Sequence, residues 1–309
     1  MRSTTLRRIR PALFLGIALL LLSPPSCAPR LTDQQREVRF GLRFGLAKFA
    51  DYDPLAVVEK LEGWGLDYAE PAVLQVMTYS DAEFADAVRR NRSAGARVEV
   101  MNWFVPGSVR LTGPDVDAAK VRDYMEKSLA RAEALNAKVI VFGSPAARSY
   151  PEGYPKHLAW GQLVAFLRAC GEHIAAKGYD ITIGIEPLRK AESNIVNTVG
   201  EALDLAGAVG HPRVKIIVDF FHLAEENEDP DVILAARDEI VHLHISNPAG
   251  GKRLFCRDEA EDPRYAKFFR NLKTIGYAGR ISLEANPTDL EADARAGVAF
   301  LRRMYEKYR

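Results

Sequence analysis

The chain repeats one pattern along most of its length: a short apolar run followed by a longer stretch with helical spacing of apolar residues. Most runs are nearly continuous in Val, Ile and Leu, as expected of parallel strands that are buried on both faces. Eight runs predict strands: Arg43–Ala47, Leu66–Ala69, Val98–Asn102, Lys138–Phe142, Ile181–Ile185, Val214–Val218, Ile240–Ile245 and Arg280–Leu283. Eight stretches predict helices: Pro54–Glu62, Asp81–Ser93, Asp115–Leu135, Gln162–Lys177, Val199–Val209, Asp231–Asp238, Tyr265–Ile275 and Leu290–Tyr305.

Eight alternating repeats predict an α/β fold of the (β/α)8 TIM barrel class, with an open, doubly wound sheet as the alternative. No glycine-rich phosphate-binding loop follows the first run, which argues against a dinucleotide-binding sheet. Of the 309 residues, the part after the N-terminal segment has the size of one barrel of about 250 residues. We therefore expect a single barrel domain over residues 38–309.

The N-terminus has the features of an export signal. Four arginines lie within the first ten residues: Arg2, Arg7, Arg8 and Arg10. The apolar stretch at 13–22 follows, which is too short for a membrane span and typical of a signal peptide. We expect residues 1–30 to direct export to the periplasm of a bacterium; an uncleaved membrane anchor is the alternative.

Cys27 bears on whether the exported chain would be anchored to a membrane or released. A small residue before Cys27 resembles a bacterial lipoprotein cleavage site, whereas Pro24 and Pro25 depart from that pattern. Membrane attachment through a lipid on Cys27 and release as a free protein therefore both stay open.

The charge balance constrains the ligand. The formal net charge is +1, and no dense run of Lys and Arg occurs after the N-terminal segment. Nucleic-acid binding normally requires a basic surface that neutralises phosphates. We therefore expect no nucleic-acid partner, and a small, mostly neutral molecule as ligand.

Each of the last four predicted strands ends in a residue that can bind a metal: Glu186, Asp219, His244 and Glu284. The carboxyl ends of barrel strands meet at one mouth, where active sites are built. Three carboxylates packed together repel one another, and a divalent cation removes that repulsion. Three oxygen ligands and one nitrogen suit a single Mn, Mg or Co ion, with Zn as the alternative.

Two of these residues have the placement of an acid/base pair. Glu186 and Glu284 end strands five and eight, which are about 135° apart around an eight-stranded ring. They would flank a bound molecule from nearly opposite sides. Such a pair can take a proton from one face of a carbon and return it to the other, which is an epimerisation.

Several motifs carry a resemblance to a known family. They are Ile185-Glu186-Pro187-Leu188 followed by Glu192, Asn194, Asn197 and Thr198; Asp219-Phe220-Phe221-His222; His242-Leu243-His244-Ile245-Ser246; and Ile281-Ser282-Leu283-Glu284. From about residue 40 to residue 304 the chain resembles the xylose isomerase-like barrel superfamily. The resemblance is to its sugar phosphate isomerase/epimerase branch, especially ketose 3-epimerases and hydroxypyruvate isomerase.

This resemblance implies roles for individual residues. It implies that the four strand-end residues bind the metal and that Glu186 and Glu284 also exchange protons with a sugar through a cis-enediolate. It places Glu192, His222 and Arg253 where the family binds sugar hydroxyls or the carbonyl end. The chain departs from the family at Arg189-Lys190, where Asn-Arg is usual. These cations indicate either a solvated loop or a site for an anionic group.

For three other residues near strand ends, the sequence gives weaker grounds for a role in the site. Trp103 follows strand three and can either stack on a sugar or pack in the core. His242 points the same way as His244, one layer deeper, and is expected to support the site or the core. Glu70 follows strand two.

Other functions remain open from the sequence. A keto-sugar or inosose dehydratase would use the same proton abstraction, and an exported sugar-binding lipoprotein would use the pocket without catalysis. An apurinic endonuclease of a related branch would need more histidines than six and a basic groove. Which sugar binds, and the oligomeric state, are left open.

Overall fold

The structure, a computed structural model, describes residues 41–308. The predicted signal segment and Cys27 lie outside the described residues. Within residues 41–308 the strands form one parallel sheet in the order β2-β1-β8-β7-β6-β5-β4-β3. Isolated bridges from Ala69 to Val98 and from Ala72 to Asn102 join the two edges, so the sheet curls into a nearly closed barrel. The predicted (β/α)8 TIM barrel is confirmed.

The eight strands of the described chain line the barrel interior. They are β1 (Arg43–Ala47), β2 (Tyr68–Glu70), β3 (Val100–Met101), β4 (Val139–Phe142), β5 (Thr182–Ile185), β6 (Val214–Asp219), β7 (Ile240–Ile245) and β8 (Arg280–Leu283).

Eleven α-helices of the described chain lie between and outside the strands. They are α1 (Val58–Leu61), α2 (Val73–Val76), α3 (Asp81–Ser93), α4 (Ala118–Ala134), α5 (Pro145–Arg148), α6 (Lys156–Lys177), α7 (Val199–Val209), α8 (Phe220–Glu225), α9 (Val232–Ala236), α10 (Arg264–Thr274) and α11 (Leu290–Tyr308). In this part of the chain no helix is both long and apolar enough to cross a membrane.

The barrel interior is tightly filled. Tyr68 from β2 lies across Gly45 of β1, where a Cβ atom would come within 2.2 Å of the ring. The Tyr68 hydroxyl forms a hydrogen bond of 2.7 Å with Ser282 on β8. Glycine at position 45 is therefore required by close packing, and the hydrogen bond between Tyr68 and Ser282 joins β2 to β8 across the interior.

Two element boundaries differ from the sequence prediction for local reasons. Strand β3 is shorter than predicted: Val98 keeps only an isolated bridge to Ala69, and its N–H donates to the Asn91 side chain at 2.8 Å. Helix α6 begins at Lys156, directly after Pro155, although the amphipathic pattern starts only at Gln162. Proline suits a helix start because its missing N–H needs no partner there.

Three short helices, α2, α5 and α8, lie in loops at the carboxyl ends of the strands. Helix α8 follows β6 without a linker, because the Asp219 side chain accepts the Phe221 N–H at 2.8 Å and caps it. The capping oxygen is Oδ1, which leaves Asp219 Oδ2 facing the barrel mouth.

Candidate active site

The four strand-end residues converge at the carboxyl-terminal mouth. Asp219 ends β6, His244 lies one residue before the end of β7, and Glu186 and Glu284 directly follow β5 and β8. Each is at most 6% exposed. One ligand atom from each lies within 4.8 Å of the others. The alternation of strands and helices thus brings together residues that span about a hundred positions of the chain.

His244 is at the centre of the cluster. Its Nδ1 lies 3.2 Å from Glu186 Oε1 and 3.3 Å from Glu284 Oε2. Its Nε2 faces the opposite way and donates to Glu70 Oε1 at 2.7 Å. Burial lowers the pKa of His244, but Glu284, Glu70 and Glu186 outweigh it and hold the pKa well above the usual value.

Arg253, from the loop after β7, contacts two of the predicted metal ligands. Its guanidinium donates to a carboxylate oxygen of Asp219 and to one of Glu284. Its Nη2 is also 2.8 Å from His222 Nε2. The ring faces of Phe49 and Phe221 enclose the guanidinium at 5.1 Å and 4.5 Å.

The two glutamates of the predicted acid/base pair differ in acidity. Burial raises the pKa of Glu186 to about 7, with the hydrogen bond from His244 acting against it and the charge of Glu284 adding to it. Burial also acts to raise the pKa of Glu284, but Arg253 and His244 outweigh it, so that pKa is lowered. Without a metal, Glu284 is therefore the more acidic of the two carboxyl groups.

The donor set fits a divalent cation. Asp219, Glu186 and Glu284 point oxygens at one point, and the Nδ1 lone pair of His244 points there too once its proton is on Nε2. Buried anions at this separation need a positive charge between them. Three carboxylates and an imidazole are ligands that Mn, Mg or Co accept, and that Zn accepts as well.

A cavity of about 300 Å³ opens directly above these residues. Glu186, Glu284, His222 and Arg253 form its floor. Trp103 forms part of the wall and has a left-handed backbone conformation (φ 47°), which is uncommon for a non-glycine residue. The structure therefore places Trp103 at the cavity and not within the core.

Glu192 and the two rim cations form ion pairs. Arg189 Nε donates to Glu192 at 2.7 Å and its Nη1 donates to Glu225 at 2.9 Å. Lys190 pairs with Glu226 at 2.9 Å. The positive charge of Arg189 and Lys190 is therefore balanced by neighbouring carboxylates, and the solvated-loop interpretation fits better than a site for an anion.

His222 is held between the rim loop and Arg253. Its Nδ1 accepts the Arg189 N–H at 3.1 Å, and the side chain is 2% exposed. Burial, together with the positive charge of Arg253, lowers the pKa of His222 well below its usual value. The ring is therefore neutral at physiological pH and faces the cavity.

Three supporting residues received no definite role from the sequence. Glu70 bonds to His244 as described, and Asn102 donates from Nδ2 to Glu284 Oε1 at 3.0 Å. Arg148 is fully buried and donates to the backbone carbonyls of Phe142, Glu186 and Val196. Glu70 and Asn102 carry the same signal as the ligands, a polar residue at a strand end, whereas Arg148 carries none.

The comparisons with known proteins concern the barrel as a whole. The family described as xylose isomerase-like TIM barrel matches residues 58–304. This chain belongs to the xylose isomerase-like TIM barrel family. Most of the described barrel, from α1 to the last turns of α11, therefore carries the sequence pattern of this family.

Curated relatives of this xylose isomerase-like chain include ketose 3-epimerases. A D-psicose 3-epimerase of Enterocloster bolteae is 33% identical over 110 residues, which is 35% of each chain. An L-ribulose 3-epimerase of Mesorhizobium japonicum is 24% identical over 215 residues, 68% of this chain and 69% of that one. The match to the first of these thus spans about a third of the relative's length.

Solved structures agree in fold. A D-allulose 3-epimerase from Methylomonas sp., in complex with D-allulose, superposes with a TM-score of 0.73 at 21% identity. The superposition covers 86% of this chain and 98% of that one. At this identity the likeness establishes the barrel architecture.

Proposed function

We propose that this protein is a divalent-metal-dependent isomerase or epimerase of a ketose or a related hydroxy-carbonyl sugar. One observation carries the proposal: Glu186 and Glu284 approach one point from β5 and β8, beside Asp219 and His244, under a cavity large enough for a monosaccharide. The ketose 3-epimerase relatives support the substrate class.

The carboxyl pair would move the proton. One of the two glutamates takes a proton from the carbon next to the sugar carbonyl, and the substrate passes through a cis-enediolate. The other glutamate returns a proton to the opposite face. The roles reverse for the reverse reaction, because each glutamate ends a turnover in the state from which the other began.

Glu186, Asp219, His244 and Glu284 would hold the ion. A divalent ion bound there would acidify the C–H and stabilise the negative charge of the enediolate oxygens. Since Arg253 contacts oxygens of Asp219 and Glu284, its guanidinium would have to move toward the cavity to admit a cation. That movement would bring Arg253 to the sugar, with His222 and Glu192 beside it, and Trp103 available to stack on the ring.

Solvent exchange tests the reaction directly. In D2O, with Mn²⁺ or Co²⁺, we expect wild-type protein to incorporate deuterium into at least one member of a panel of free ketoses, oxidised glycosides and sugar phosphates. NMR of the recovered sugars distinguishes C3 epimers from C1–C2 isomers, and mass spectrometry detects the loss of water that a dehydratase would cause. The variant E186Q/E284Q should show no exchange.

A glutamate at the other end of the barrel provides the control. Glu239 precedes β7 and pairs with Lys215 at 2.8 Å, so E239Q makes the same chemical change far from the mouth. E239Q should exchange at the wild-type rate. Exchange that persists in E186Q/E284Q would show that the acid/base assignment is wrong. Sugar binding without exchange in the wild type would favour a binding protein.

We further propose that residues 1–30 export the protein and that it meets free sugars outside the cytoplasm. The basic and apolar stretches of the N-terminus support export, and the neutralised cations Arg189 and Lys190 support an uncharged substrate. Cell fractionation and the mass of the mature N-terminus test this. If Cys27 carries lipid, C27S should move the protein from the membrane to the soluble fraction.

A further inference from the structure

A second buried carboxylate lies behind the predicted metal site. We propose that Glu70 is a positioning residue, which fixes the ring orientation and the tautomer of His244 so that the Nδ1 lone pair is presented to the metal. The inference rests on the metal site of the proposed function and adds a residue to it.

Glu70 reaches His244 across the barrel interior. It ends β2, which is separated from β7 by β1 and β8, and its side chain is fully buried. One oxygen accepts from His244 Nε2 at 2.7 Å, and the other accepts from His242 Nε2 at 3.0 Å. An ionised carboxylate only accepts hydrogen bonds, so both imidazoles must carry a proton on Nε2.

The tautomer of His244 follows from this contact. A histidine that binds a metal is neutral and has a single N–H; His244 directs it to Glu70, so Nδ1 then keeps a lone pair. That lone pair points at oxygens of Glu186 and Glu284 at 3.2 Å and 3.3 Å. With the ring neutral, these three acceptors would repel one another, and they become a ligand set when a cation lies between them.

His242 keeps Glu70 in place. Its Nε2 holds the second oxygen of Glu70, while His242 Nδ1 is buried and has no hydrogen-bond partner among the described residues. Its polar contact is therefore directed at Glu70. With both oxygens held, the carboxylate cannot rotate away from His244, and the imidazole ring of His244 stays aligned with the mouth.

A purely structural role does not explain the choice of residue. Glu70 adds a fourth buried carboxylate next to Glu186, Asp219 and Glu284, although an apolar side chain would avoid the cost of burying its charge. A carboxylate behind a ligating histidine increases the basicity of the ligand and sets its orientation. Such partners typically change metal affinity by about 10- to 100-fold.

The variant E70Q tests the inference, because glutamine replaces one of the two acceptor oxygens by an NH2 donor group and so cannot present a separate acceptor oxygen to each histidine. Titration of the metal-free protein with Co²⁺, followed by visible absorption and calorimetry, should give an affinity about 10- to 100-fold weaker than wild type. Long-range ¹H–¹⁵N NMR of the metal-free protein, recorded at a pH high enough for His244 to be neutral, should show His244 protonated on Nε2 in the wild type and a changed tautomer in E70Q.

Two further variants keep the test decisive. E99Q removes a partly buried glutamate that pairs with Arg280 at 2.6 Å at the other end of the barrel, and should bind Co²⁺ as wild type does. If E70Q does not fold, E70D replaces it: the shorter side chain keeps the charge but draws back from His244, so its Co²⁺ affinity should also fall.

The outcomes separate this inference from the proposed function. If wild type binds Co²⁺ and E70Q binds it equally tightly with the same His244 tautomer, the role of Glu70 is wrong and the metal site stands. The same holds for E70D where that variant is used. If wild type binds neither Co²⁺ nor Mn²⁺, the metal site fails, and the role of Glu70 fails with it.

Discussion

Gly143 leaves room for the carboxylate of Glu186. It follows β4 directly, and a Cβ atom built on it would lie 2.3 Å from Glu186 Oε2. A carbon and an oxygen come into contact at about 3.3 Å, so G143A forces this oxygen to retreat by about 1 Å. The backbone of Gly143 is not left-handed, and alanine therefore introduces the methyl group without backbone strain.

The displacement should affect catalysis far more than stability. A misplacement of about 1 Å in a catalytic group lowers rates by about 100-fold, which corresponds to about 2.7 kcal/mol of activation free energy. Glu186 borders the open cavity and can move into it, so we expect the free energy of unfolding to fall by less than about 1 kcal/mol, below the usual cost of overpacking a closed core.

The assay measures deuterium incorporation into the substrate identified from the sugar panel, Co²⁺ affinity, and thermal unfolding of the metal-free protein. Gly161 is the matched control: it lies in α6, and a Cβ atom there would meet nothing within 4 Å. G161A should keep wild-type exchange and gain about 0.5–1 kcal/mol of stability from the helix preference of alanine. Wild-type exchange and Co²⁺ affinity in G143A would refute the reasoning.

Three other outcomes follow from the same structure. Adding Co²⁺ at 100 times its dissociation constant should raise the free energy of unfolding of the metal-free protein by about 2.7 kcal/mol, measured by calorimetry. EDTA should reverse the gain. An unchanged melting temperature would contradict a metal site that forms only in the folded chain. G184A places a Cβ atom 2.5 Å from Ile217 Cγ2 in the closed interior. It should lower the free energy of unfolding by about 1–3 kcal/mol, measured with a denaturant. An unchanged free energy would mean that the interior has unrecognised space. S80A removes the capping box in which Ser80 and Glu83 form hydrogen bonds with each other's backbone. It should lower the free energy of unfolding by about 1 kcal/mol. A loss below about 0.3 kcal/mol would show that water replaces the cap.

Much of the fold followed from local sequence patterns. The apolar runs from β4 to β8 were predicted with their ends within one residue of the observed strands, because strands buried on both faces leave few polar positions. The prediction of strand and helix boundaries is poorest where the structure depends on contacts that the local sequence pattern does not contain. Strand β3 is shorter than predicted, with the Val98 N–H bound to the Asn91 side chain, and α5 and α8 form in loops whose sequence has no helical period.

The convergence of Glu186, Asp219, His244 and Glu284 could be predicted because it depends only on the direction in which the strands run. In a parallel barrel every strand carries its last residues to the same mouth, so a strand-end position is enough to place them together. No knowledge of side-chain conformation was needed.

The partners of those residues were decided only by the tertiary structure. Glu70 and His244 are 174 positions apart, and Arg253 turns back onto Asp219 and Glu284 although the resemblance assigns it to the sugar. Closure of the barrel sets such contacts, since it determines which side chains meet across the interior and how much water remains to compete. Periodicity in the sequence specifies which face a residue occupies, whereas the choice of hydrogen-bond partner depends on distances of a few ångströms between elements far apart in the chain.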